Sequence, residues 1–198
     1  MAIDLIITPL SKYWSGDYIT PVMESTWEMG ANYNIVTPQG TTTLPKGTPY
    51  GGEHAKAERK GLLDFVNSVL DALPIDGLSS SSWDDSSDSV FEFERIDHES
   101  LGVLFEEAEH QFACNPGLIG RLKGQKRKHC HLTSACIFLP VEFDPPYDLE
   151  GKVLGSLPVA FKELQTGKWS EGASDARASL GEFVEKAIEL NCPLIIDM

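Results

Sequence analysis

The sequence predicts an α+β fold: a mixed sheet with about four helices, in a single domain over 1–198. Three observations predict it. Two long segments, 53–73 and 175–190, repeat apolar residues at spacings of three and four. Short β-branched runs stand at both ends of the chain. With 198 residues, 41% of them hydrophobic and 23% charged, the chain is long and apolar enough to bury one sizeable core.

Taken in order, Ile3, Ile6, Ile7 and Thr8 form a short buried strand that Pro9 ends, and a loop follows. Thr20 then supplies a helix N-cap and Pro21 the first helical residue, with Glu24 placed where the helix dipole favours an acid. Val22, Met23 and Trp27 give that helix its apolar stripe. Residues 33–37 and 41–44 are β-prone runs flanking Pro38-Gln39-Gly40, which predicts a hairpin. Lys46 to Gly52 is a glycine-rich loop. Leu62, Phe65, Val66, Val69, Leu70 and Leu73 mark the face of the helix that Pro74 stops.

Residues 76–89, with their serines and aspartates around Trp83, are too poor in apolar side chains to pack and predict a mobile loop outside the core. A strand begins at Val90, Phe91 and Phe93, and Leu101, Leu104, Phe105, Ala108 and Phe112 carry a helix over 98–112. The apolar run 129–143 predicts one or two central strands, Gly155 to Gln165 a helix, and Leu194-Ile195-Ile196 a final strand inside the sheet.

Sixteen basic against thirty acidic residues give a formal charge of −14, which repels phosphate backbones and anionic lipid headgroups. Nucleic acid and membrane are therefore excluded as partners. The opening residues lack the basic flank and cleavage site of a signal peptide, and Cys114, Cys130, Cys136 and Cys192 follow no disulfide framework, so a cytoplasmic protein is expected. The charge is also segregated. Residues 76–109 hold eleven acids against the single base Arg95, whereas Arg121, Lys123, Lys126, Arg127 and Lys128 form a run without an acid. A field of that kind steers a cationic partner. Asp84, Asp85, Asp88, Glu92 and Glu94 are the expected partner-binding acids, with Trp83 as an aromatic anchor among them. The same run lacks the central glycine of a calcium loop.

Catalytic signals are thin. His129 and His131 share one face of an extended segment and, with Cys136, His110 or Cys114, supply zinc-type donors, but no paired metal-binding motif accompanies them. Cys130 or Ser134 beside these histidines would make a nucleophilic site, yet no nucleophile elbow is present and apolar neighbours point to inert thiols. Gly47 to Gly52 precedes a helix without the ending of a phosphate-binding loop and reads as a structural turn. No cofactor is expected.

Residues 3–18 (Ile-Asp-Leu-Ile-Ile-Thr-Pro-Leu-Ser-Lys-Tyr-Trp-Ser-Gly-Asp-Tyr), Leu44 to Gly52, Leu139 to Phe143 and Leu154 to Leu164 are together similar to small bacterial proteins, some of which resemble immunity proteins of interbacterial toxin systems. The likeness covers about the first 70 and last 70 residues, leaves the acidic middle unmatched and carries over no catalytic residue. It implies a protein that binds and neutralises a cognate, basic toxin domain. The alternative is a small metal-dependent or Cys/His hydrolase using His129, His131 and Cys136.

Overall fold

The computed structural model describes residues 2–37, 40–113 and 129–197. Five strands of β-branched and apolar residues and one charged edge strand build a mixed six-stranded sheet. They are β1 (Ala2–Ile7), β4 (Glu92–Asp97), β5 (Ile137–Leu139), β6 (Tyr147–Leu149), β7 (Lys152–Ser156) and β8 (Leu194–Asp197), in the spatial order β4-β1-β8-β5-β7-β6. Only β5 and β7 run parallel; every other pair is antiparallel. β1 and β8 are central and, apart from the paired Asp4 and Asp197 at one end, apolar on both sides; they pair Leu5 with Ile196 and Ile7 with Leu194, all four buried. A separate hairpin, β2 (Tyr33–Thr37) and β3 (Gly40–Leu44), agrees with the turn signal between the two runs.

Seven helices lie among the described residues, rather than about four: α1 (Leu10–Ser15), α2 (Pro21–Glu28), α3 (Ala55–Ala72), α4 (His98–Phe112), α5 (His131–Ser134), α6 (Leu157–Thr166) and α7 (Glu171–Glu189). The sheet separates two cores. On one face, Ile3, Leu5, Ile7, Ile96 and Phe138 meet α4, α6 and α7; on the other, Ile6, Ile137, Leu139 and Ile195 meet α1, α3 and residues 75–83. Met23 and Trp27 of α2 form a smaller cluster with Leu44, where the Trp27 indole N–H donates to the Leu44 carbonyl at 3.1 Å.

Local side-chain caps fix three of the seven helix starts among the described residues. Thr20 Oγ1 accepts from the Met23 N–H at 3.3 Å, Asp97 from the Ser100 N–H at 3.0 Å and Ser156 Oγ from the Val159 N–H at 3.3 Å. Two helices depart from the sequence expectation, and both lack such a cap: neither Pro9 before α1 nor Cys130 before α5 offers a side-chain acceptor. Remote buried carboxylates take that place, Asp85 for α1 and Glu163 for α5, so the loop after β1 and the first half of the 129–143 run become helical turns. No helix of the described residues is long and apolar enough to cross a membrane.

Candidate functional site

The serine-aspartate segment is not a detached loop. Trp83 is only 4% exposed and Asp85 only 3%, which corrects the expectation of a solvent-facing anchor in an open acidic loop. The reason lies in the backbone of α1. Asp85 Oδ1 accepts from the Leu10 N–H at 2.7 Å and Oδ2 from the Ser11 N–H at 3.0 Å, satisfying two donors that the helix start leaves open. The Trp83 indole N–H donates to the same Oδ1 at 3.0 Å, and the ring packs among Leu10, Leu70, Ile75 and Leu78. Burying a tryptophan is worth about 1.5–3 kcal/mol or more, far beyond what an exposed ring would retain.

Two cations are pulled into the same neighbourhood. Arg59 of α3, 6% exposed, donates from Nη1 to Asp88 and, at 3.4 Å, to Asp17; its Nη2 reaches the Ser87 carbonyl at 2.7 Å and the Asp85 carbonyl at 3.4 Å. Lys12, 7% exposed, donates to the Asp88 carbonyl at 2.8 Å and stands 5.7 Å over the Phe91 ring. Burial, then the Arg59 charge, lowers the Lys12 pKa from its ordinary value. Lys56 and Lys60 open beside Arg59 onto a cavity of about 220 Å³. Every guanidinium nitrogen of Arg59 is already engaged, so Arg59 holds the segment in place and has no N–H of its own left over for a ligand. The Lys46–Gly52 loop is structural, as expected: Gly51 packs its backbone on Gly16, where an added Cβ would stand 2.5 Å from the Gly51 nitrogen.

The remaining acids named from sequence are split by the sheet. Asp84 stays exposed and accepts from the Ser86 N–H at 3.0 Å; Asp88 is exposed but tied to Arg59. Glu92 and Glu94 alternate onto the opposite face with Ile96, where Glu92 pairs with Lys186 of α7 at 2.7 Å and Glu94 is open to solvent. The acidic block is therefore not one cohesive surface. The basic run 121–128 and Cys114 lie outside the described residues.

The histidine segment forms a second buried polar centre. Glu163 of α6 accepts from the His131 and Leu132 N–H groups at 3.0 Å each and from the Cys130 thiol at 3.5 Å. Burial raises the Glu163 pKa above its ordinary value and pushes the Cys130 thiol up to about 12, the opposite of what a nucleophilic thiolate needs. The fully buried His131 accepts at Nδ1 from the Ser156 N–H at 2.9 Å, so its neutral ring carries the proton on Nε2. Among the described residues that nitrogen meets only Asp144 Oδ1, at 3.6 Å. A ring in this tautomer neither ligates a cation through Nε2 nor accepts a proton there. Cys136 belongs to the core on the other face of the sheet, and no group of three or more metal-type donors exists among the described residues. His129 and His131 line one cavity of about 310 Å³ with Asp144 and Glu163, but Cys136 stands on the other face of the sheet, so these three zinc-type donors are not brought together in one site.

What the sequence reading passed over lies on α7. Glu171, Asp175, Glu182, Glu185 and Glu189 follow spacings that return to one side of a helix, interrupted only by Ala178, and all five are exposed. Eighteen steps of about 1.5 Å make the stripe about 27 Å long. None of the five makes an ion pair or hydrogen bond among the described residues. Their periodicity was the available signal; it was masked by the denser but structurally committed acids of 76–109. Comparison with protein-family models, with curated proteins and with solved structures returns no match to this chain.

Proposed function

We propose that this chain is a cytoplasmic binding protein of the immunity or antitoxin type, which holds a cation-rich toxin domain and covers its working surface. The observation that carries this reading is the α7 stripe: five exposed carboxylates in one row, with no internal partner among the described residues, on a chain of formal charge −14. Glu92 of the edge strand β4 reaches the same helix through its pair with Lys186, so one of the sequence-predicted acids adjoins this surface, while Trp83 and Asp85 belong to the core. Rows of like charge speed encounter with an opposite surface and select against like-charged partners such as nucleic acid. Binding rather than catalysis is favoured because Glu163, with the Cys130 thiol donating to it, is engaged in capping α5, and the His131 Nδ1 is taken by the Ser156 N–H.

The experiment is co-expression with cation-rich candidate toxin domains, sought first among the products of neighbouring genes. The reading predicts rescue of growth, a stoichiometric complex, and loss of both when Glu182, Glu185 and Glu189 are together changed to lysine. A correctly folded triple variant that still rescues growth removes the stripe from the interface; failure of the wild-type chain to bind any such domain removes the class.

A further inference from the structure

The α7 stripe runs along one wall of a groove of about 300 Å³ between α6 and α7. Its apolar lining comes from Leu164 and Phe161 of α6 and from Ala178 and Gly181 of α7, with Gln165 of α6 beside them. Its rim carries Glu182 and Glu185. Arg177, the one cation lining the groove among the described residues, is tied across to α6 through a 3.5 Å bond from Nε to the Leu164 carbonyl. Nothing stands within 4 Å of where a Cβ on Gly181 would be, so the space over that residue is open. The volume is at the lower edge of the roughly 300–1,000 Å³ typical of small-molecule sites, and suits one or two inserted side chains rather than a ligand enclosed on all sides.

Resting on the reading above, we infer that this groove receives an apolar side chain from a lysine- and arginine-rich amphipathic segment of the partner protein, whose flanking cations lie along Glu171, Asp175, Glu182, Glu185 and Glu189. The occupant follows from charge complementarity. An acidic or neutral segment would bring no counter-charge to the rim, whereas a segment of pure cations would leave the apolar floor unfilled. An apolar anchor ringed by charge pairs places the desolvated contact at the centre and the solvent-screened pairs at the edge, the arrangement in which interface energy concentrates. The carboxylates set the rate of encounter and its salt dependence; the groove sets how long the complex lasts.

The test uses two synthetic probes, an amphipathic lysine-leucine peptide with leucines at helical spacing and an oligolysine of equal length, titrated into the full chain at low and at physiological salt. The amphipathic peptide is expected to bind at least about tenfold more tightly than oligolysine. Gly181→Leu fills the groove and should remove that advantage while leaving oligolysine binding unchanged. The change trades glycine for a better helix former at an open position, so folding is retained, and circular dichroism checks it. Glu182→Lys with Glu185→Lys should weaken both probes. If Gly181→Leu leaves the peptide preference intact, the groove inference falls while the binding reading stands; if neither probe binds the wild-type chain, both fall. A concentration-dependent dimer in sedimentation that Gly181→Leu dissolves would assign the groove to a second copy of this chain and overturn the proposal.

Discussion

Residues 79–89 and helix α7 are both acidic, yet their carboxylates do opposite things. In the first, Asp85 is buried against the N–H groups of α1 and Asp88 meets Arg59, so negative charge is spent on closing the fold. In the second, five carboxylates stand in a row with no internal partner among the described residues. The density of acids in a sequence therefore does not say which are available to another molecule. Availability depends on whether backbone donors or cations converge on them, and that is a property of the fold.

The largest effect should come from breaking the committed region. Asp85→Ala strands two N–H groups of α1 and the Trp83 indole, and should lower stability by about 3–5 kcal/mol in urea denaturation. A loss below about 1 kcal/mol would mean that water replaces the carboxylate and that the segment is not held as described. Trp83→Phe keeps a ring in the pocket but removes one donor and some volume, and should cost about 1–2 kcal/mol in the same assay.

Glu163 sharpens the contrast from the other core, because it caps α5 with no ion pair of its own among the described residues. Its pKa is raised in the folded state, so the folded chain holds this proton more firmly than the unfolded one. The associated stability is present below the ordinary glutamate value of 4.5 and is lost as pH rises through the folded value. Comparing Glu163→Gln with wild type across that range should show the wild type losing stability relative to the variant as pH increases; parallel curves would mean that the carboxyl is not desolvated.

Much of this architecture is legible in the sequence, and its failures have a common cause. Helices α2, α3, α4 and α7 and the β2–β3 hairpin announce themselves through local signals: Thr20-Pro21, the Leu62 to Leu70 spacing, the Leu101 to Phe112 spacing, the Leu180 to Ile188 spacing, and the turn-prone residues Pro38 to Gly40 in the sequence. α1 and α5 do not, because their caps, Asp85 and Glu163, lie 75 and 32 residues away along the chain. The β6–β7 hairpin is harder to read: of the two left-handed residues in its turn, Gly151 is a usual marker but Glu150, at a φ of 51°, is not, and the strand before it is only three residues long. The candidate site was less legible still. Trp83 reads as exposed because its neighbours are polar, and only the fold reveals that α1 needs the aspartate two residues later.

The smallest effect on stability is expected at α7. Changing Glu182, Glu185 and Glu189 together to glutamine should shift the unfolding free energy by no more than about 0.5 kcal/mol, since exposed and unpaired side chains contribute little. A larger loss would show that these carboxylates, too, are committed to the fold.

The most direct test of the division between the two regions is to map amide chemical shifts of the full chain by NMR while oligolysine is added at low salt. The largest changes are predicted along Glu171 to Glu189, with residues 79–89 unmoved apart from the exposed Asp84. Changes centred on Asp85 to Asp88, with α7 silent, would contradict it.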